Sequence, residues 1–140
     1  DIKFYVVGSK VTDEIKALEQ PGNGIIIKGF VSEEELAGLY ASCKVVVVPL
    51  RYGAGVKGKV VEAIYNGAPI ITTSTGAEGI PQVGQVLEVE DDPKVFADKT
   101  VALYQDNDRC RQMCEETQRY IREHFSMDGA WKVIENDFSR

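Results

Sequence analysis

The 140-residue chain is poor in the features that mark several functional classes: it has one histidine, three cysteines and one tryptophan. No stretch approaches the roughly 18 uninterrupted apolar residues of a membrane helix, so no transmembrane segment is expected. Positive charge is also short, with 16 basic against 22 acidic side chains and a net charge of −6. A surface of that sign repels phosphodiester backbones, and the Lys and Arg residues are scattered, so no nucleic-acid partner is expected. Three cysteines cannot all pair with one another, and no basic-then-apolar signal peptide opens the chain. Both absences point to the reducing cytoplasm. An initiator methionine is missing too, and Asp1 runs straight into an expected strand, which reads as an N-terminally truncated fragment.

What is present is ordinary for a globular chain, 44% hydrophobic and 27% charged, and one domain over residues 1–140 is expected. Short, continuous, β-branched runs alternate with amphipathic stretches, the pattern of parallel strands joined by crossover helices. Strands are expected at Ile2–Gly8, Gly24–Lys28, Lys44–Pro49, Pro69–Thr73 and, more weakly, Gln85–Val89. The first helix is expected over Asp13–Gln20, ended by the turn residues from Pro21 to Gly24. Ser32 with Glu35 forms a capping box for a helix carrying Leu36, Leu39 and Tyr40 on one side. Further helices are expected over Gly58–Asn66, from the Asp92–Pro93 cap to Gln105, from Cys110 along Met113, Cys114, Thr117, Ile121, His124 and Phe125, and over Ala130–Phe138. The fold class is therefore α/β, a doubly wound, mostly parallel sheet with a helical C-terminal tail.

The informative stretch is Val45–Ile64, VVVVPLRYGAGVKGKVVEAI, where an apolar strand enters a Gly-rich loop and then a helix. Ligands of open parallel sheets sit at such strand ends. Gly53, Gly55 and Gly58 satisfy G-x-G-x-x-G, but four residues separate them from the strand, unlike a dinucleotide fingerprint. Gly53 to Lys59 satisfies G-x-x-x-x-G-K, yet Val60 replaces the Ser or Thr that would ligate magnesium. What survives is an anion site built from glycine backbone N–H groups and a helix start. A bound diphosphate would also relieve the unfavourable position of Lys57 and Lys59 at a positive helix end. A solvated basic turn is the competing reading. Glu62 lies three residues after Lys59 on the same face, placed either to accept hydrogen bonds from paired ribose hydroxyls or to form a surface ion pair.

Taken in order, FYVVGS, IIIKGFVSEEELAGLYASCKVVVVPL and GAGVKGKVVEAIYNGAPIITTSTGAEGI, followed by a helix-rich tail, resemble the C-terminal, donor-binding half of retaining, GT-B fold group 1 (family 4-like) glycosyltransferases. The resemblance spans nearly the whole chain. It implies a Rossmann-like GT-B half that binds a nucleotide-diphosphate sugar without a metal or other cofactor. It places the ribose on Glu62 and the diphosphate and sugar on Gly53, Ala54, Gly55 and Val56 with Lys57 and Lys59. The nucleobase goes to Gly29, Phe30 and Val31, with Leu36 closing that pocket. Many members carry a sugar-contacting Glu eight residues before the ribose-binding one, but here that position is Ala54.

The resemblance also implies a preceding strand and a segment with an Arg and a Lys for the donor phosphates. The acceptor site and any catalytic side chain would lie on a separate N-terminal domain. The chain alone is then expected to bind donor weakly, to transfer nothing, and to associate with a second copy through an open sheet edge. Two other readings stay open: a non-catalytic partner that kept the fold, favoured by Ala54, and a nucleotide-dependent epimerase or hydrolase. His124, Cys43, Cys110, Cys114 and Trp131 are expected to pack rather than to catalyse or bind metal.

Overall fold

The β-branched runs form parallel strands, and every pairing between them is parallel. The structure, a computed structural model, describes residues 2–82 and 86–124. These fall into two compact units divided between Leu39 and Tyr40. The expected helix over Ala130–Phe138, with Trp131, and Phe125 lie outside the described residues.

In the first unit, β1 (Phe4–Val7) pairs with β2 (Ile25–Gly29), Phe4 opposite Ile25. Between them α1 (Asp13–Lys16) is a single turn, capped by the Thr12 hydroxyl, which accepts from the Ile15 N–H at 3.3 Å. The expectation that this helix would reach Gln20 is corrected by one side chain. Asn23 donates from Nδ2 to the Leu18 carbonyl at 2.7 Å and accepts from the N–H groups of Gln20 and Ile25 at 3.3 and 3.1 Å. Those bonds offer the backbone an alternative to the helix ladder, the usual way Asn ends a helix.

The second helix, α2 (Glu33–Ser42), starts where the capping box predicts: Ser32 Oγ accepts from the Glu35 N–H at 3.1 Å. The reciprocal half of the box is not used, because the Glu35 carboxylate pairs instead with Lys28 at 3.2 Å. Three acidic residues occupy the first turn, where the helix dipole favours them.

The second unit holds a three-stranded sheet in the order β3 (Val46–Val48), β4 (Ile70–Thr72), β5 (Glu88–Val89). Val46 stands opposite Ile70 and Val48 opposite Thr72. After β3 comes α3 (Gly58–Tyr65), whose Val60, Val61, Ala63 and Ile64 pack with Ile70 and Ile80. Burying one such aliphatic side chain contributes about 1.5–3 kcal/mol. Helix α3 ends at Gly67, whose φ of +72° is the left-handed C-terminal conformation, and Pro69 leads the chain into β4. A one-turn helix the sequence reading omits, α4 (Ser74–Ala77), follows β4.

The tail begins with α5 (Pro93–Gln105), where Asp92 Oδ1 accepts from the N–H groups of Lys94 and Val95, both at 3.0 Å. The last described helix, α6 (Asn107–His124), buries Cys110, Met113, Thr117 and Tyr120 against α3 and α5. Its buried stripe includes Tyr120, which the sequence reading passes over, and excludes His124. That imidazole is exposed and stacks on the Tyr120 ring at 4.4 Å. Cys110 is buried and Cys114 half-buried, as expected of core thiols. Cys43 corrects the same expectation: it sits just past the end of α2, its thiol turned back to the Tyr40 carbonyl at 3.5 Å, and the residue is exposed rather than packed in the core.

Candidate functional site

The Gly-rich loop is held at its root by two threonines of the neighbouring strand end. Thr72, fully buried, donates its hydroxyl to the Val48 carbonyl at 2.8 Å. Thr73 donates to the Leu50 carbonyl at 2.5 Å. These bonds tie the first residues of the loop to β4. Thr73 also caps α4, accepting from the Gly76 N–H at 3.1 Å. Gly76 is required there, since a Cβ would stand 1.9 Å from Thr72 Oγ1. The start of α4 is fixed from the other side by Asp91, which accepts from the Ser74 N–H at 2.8 Å and the Ser74 hydroxyl at 2.7 Å. Those two donors hold the Asp91 carboxyl below its ordinary range.

From that root, residues 51–56 run exposed to solvent. Gly53 and Gly55 have φ of +123° and +79°, backbone that residues with a Cβ rarely adopt. Val56 lies against the turn after α4, where a Cβ on Gly79 would come within 2.9 Å of its Cγ2. The Gly55 N–H donates to Glu78 Oε1 at 3.4 Å. The Lys57 ammonium folds back to the Gly55 carbonyl at 2.6 Å and stands 3.8 Å from Glu78 Oε2. A carboxylate thus rests against one loop N–H and one ammonium.

Lys57 is also the N-cap of α3, extended at φ −95° and ψ 116°, with no side-chain cap. Its carbonyl accepts from the Val60 and Val61 N–H groups at 3.1 and 3.2 Å. The first N–H groups of a helix have no intrahelical acceptor, so the start of α3 faces the loop with donors and positive potential. Lys59 is exposed in that turn. Glu62 lies one turn further on and is half-buried. Its Oε2 accepts a hydrogen bond from the Tyr40 hydroxyl at 3.0 Å. Burial, and next the Glu62 charge, push the Tyr40 phenol far above its usual range, so it stays a donor.

The second unit therefore brings together Gly53, Ala54, Gly55, Val56, Lys57, Lys59 and Glu62 on one loop and the helix it feeds. Gly29, Phe30, Val31 and Leu36 belong to the first unit. There Gly29 ends β2 with φ +66°, Val31 and Leu36 are half-buried, and Phe30 is 81% exposed. Sequence reasoning missed Glu78 and the Thr72–Thr73 ties, and it named Tyr40 only as sharing one side of its helix with Leu36 and Leu39. The Ser-Thr-Gly-Ala-Glu-Gly stretch after an apolar strand was the available signal for Glu78, whereas nothing local pairs Tyr40 with Glu62. Among the described residues, no group of three or more His, Cys, Asp or Glu side chains is placed to hold a metal ion, and no helix is long and apolar enough to cross a membrane.

The chain is 27% identical over 140 residues to an uncharacterized 44.6 kDa protein in the cps region of Klebsiella pneumoniae, covering 96% of this chain and 36% of that protein. The chain thus spans about a third of the relative's length. A model of the family described as "Glycosyl transferases group 1" matches residues 1–106, from β1 through the whole Gly-rich loop and α3 to the end of α5. A match over three-quarters of the chain makes it a member of the group 1 glycosyltransferase family.

Proposed function

We propose that the chain is the nucleotide-sugar donor-binding part of a transferase that moves a glycosyl group to an acceptor with retention of configuration. Glu62 accepts the two ribose hydroxyls. The N–H groups of Gly53–Val56 and of the α3 start, with Lys57 and Lys59, hold the diphosphate and the sugar. Gly29, Phe30, Val31 and Leu36 serve the nucleobase. The remaining phosphate-binding cations belong to a preceding segment of the same donor-binding half and the acceptor site to a separate N-terminal domain, so the chain alone binds donor weakly and transfers nothing. The reading calls for no metal: the charge of the departing nucleoside diphosphate is met by backbone donors and ammonium groups. It also places the protein in the cytoplasm, where Cys43, Cys110 and Cys114 stay free thiols.

The observation that carries this reading is the Glu78 carboxylate seated on the Gly55 N–H and beside the Lys57 ammonium. The loop already accommodates anionic oxygens, and a diphosphate offers more of them, with higher charge. Ala54 favours a second reading, a non-catalytic relative that kept the fold, because no carboxylate stands at that position for the transferred sugar. The two separate experimentally. The intact protein, given uridine, guanosine or adenosine diphosphate sugars, should release the nucleoside diphosphate in an acceptor-dependent reaction and keep the anomeric configuration by NMR. Activity should survive chelation of divalent cations. Donor binding without turnover across a panel of acceptors would favour the non-catalytic reading, and no binding at millimolar donor would overturn both.

A further inference from the structure

We infer that Tyr40 is a positioning residue for the Glu62 carboxylate, setting the orientation in which that carboxylate receives a ribose diol. The inference rests on the reading of Glu62 as the diol acceptor and adds the group that makes it selective. Tyr40 lies near the end of α2 and Glu62 in the middle of α3, 22 residues apart in sequence, so their contact is tertiary and joins two elements. The Tyr40 ring packs against the hydrophobic core, which fixes where its hydroxyl sits. From that fixed point the O–H reaches Glu62 Oε2 at 3.0 Å.

A glutamate carboxylate on three rotatable bonds is a poor template for two adjacent hydroxyls, because it gives up about as much side-chain freedom as any residue when it is ordered. A single bond from a rigid donor removes much of that freedom before the ligand arrives. The two oxygens of a carboxylate together offer about four acceptor directions. Tyr40 engages one of them on Oε2, which holds that oxygen in place and narrows the orientations open to the group, and so the directions in which both oxygens accept. The direction of the bond is also fixed. The phenol, pushed far above its ordinary range by burial and by the Glu62 charge, remains protonated and donates at every pH the protein meets. Two cis hydroxyls presented to an oriented carboxylate can be received together, as a deoxyribose cannot.

The consequence is discrimination between ribose and dideoxyribose rather than anion affinity, and the test measures that ratio. The intact protein is titrated with uridine, guanosine and adenosine 5′-diphosphates, with the 2′,3′-dideoxy form of whichever binds most tightly, and with inorganic pyrophosphate. Tyr40→Phe keeps the ring and removes only the hydroxyl. It should weaken the ribose form about five- to tenfold, leaving the dideoxy form and pyrophosphate within twofold of the wild type. Glu62→Gln, the second variant, should abolish the preference. If Glu62→Gln abolishes it but Tyr40→Phe leaves it intact, the positioning role is overturned and the reading of Glu62 stands. If neither variant changes the preference, or the wild type has none, the reading of Glu62 fails and the inference with it. Equal weakening of all three ligands by Tyr40→Phe would reduce the tyrosine to a packing residue and overturn the inference.

Discussion

Replacing Gly76 with Ala should destabilise the second unit, and the size of the effect should depend on what stands at position 72. The new Cβ would lie 1.9 Å from Thr72 Oγ1, about 1.5 Å short of an ordinary contact. Threonine cannot readily turn away. Its χ1 is stiff, the residue is fully buried, and its hydroxyl is committed to the Val48 carbonyl at 2.8 Å. Crowding of this kind costs about 1–3 kcal/mol, and forcing the hydroxyl off its acceptor adds about 1 kcal/mol. The total is therefore roughly 2–4 kcal/mol, set against a gain of up to about 1 kcal/mol from the better helix propensity of Ala.

Thr72→Ala by itself should cost about 1–2 kcal/mol, from one hydrogen bond and one methyl group. The Val48 carbonyl would keep the Leu50 N–H at 3.0 Å. In the double variant the nearest obstacle becomes the Cβ of residue 72, at 3.2 Å, which a shift of a few tenths of an ångström accommodates. The double variant should therefore be no less stable than Gly76→Ala alone, a coupling of about 1–3 kcal/mol between contacting residues. Thr72→Val, which keeps the branch that blocks position 76, should give no relief. Urea unfolding, read from midpoints at unchanged slope, measures all four variants. Strict additivity of the two substitutions, or a Gly76→Ala protein within about 0.5 kcal/mol of the wild type, would refute this account of how the loop root is built.

Other consequences concern the same region. Glu78→Gln removes the carboxylate that sits on the Gly55 N–H and near Lys57, so pyrophosphate should bind more tightly. The gain should be at most about fivefold, because the Glu78 carboxylate is open to solvent and stands 3.8 Å from the ammonium, and loosely held, partly solvated pairs are worth about 0–1 kcal/mol; calorimetry at two salt concentrations would show it shrinking at the higher one. Asp91, held low by the Ser74 N–H and hydroxyl, contributes stability that is present above its unfolded value of about 3.8 and lost as the pH falls through the lower folded one. The stability difference between wild type and Asp91→Asn should accordingly be present at neutral pH and vanish in strong acid. In Ser74→Ala the Asp91 carboxyl resonance should titrate at higher pH than in the wild type.

How far the sequence could be read depended on the range of the interactions involved. Continuous β-branched runs such as Val45–Val48 and Ile70–Ile71 announce buried parallel strands, because apolar residues on both faces leave few alternatives. The Ser32 and Asp92 caps are local too, and both helices start where those residues predict. The loop and the helix that carry Gly55, Lys57 and Glu62 were legible for the same reason, as glycines and charges adjacent in sequence. What was not legible is tertiary. The Asn23 side chain ends α1 through partners up to five residues away, and α4 is too short for any periodicity to register. Glu78 reaches Gly55 across 23 residues, and Tyr40 reaches Glu62 across 22. From the sequence the two lysines are cations awaiting a ligand, yet the Lys57 ammonium already bonds the Gly55 carbonyl and sits near Glu78, so part of the charge conflict at the start of α3 is met from within the chain.

The proposed grip on a sugar nucleotide, by one carboxylate and one glycine-bent loop, is tested by calorimetry of nucleoside diphosphate binding to the wild-type protein and to Glu62→Ala. Loss of hydrogen bonds to a charged acceptor is worth about 1.5–3 kcal/mol, so the variant should bind some ten- to a hundredfold more weakly while its affinity for inorganic pyrophosphate stays unchanged. Equal nucleoside diphosphate affinity in the two proteins, or saturable binding in neither, would contradict the account.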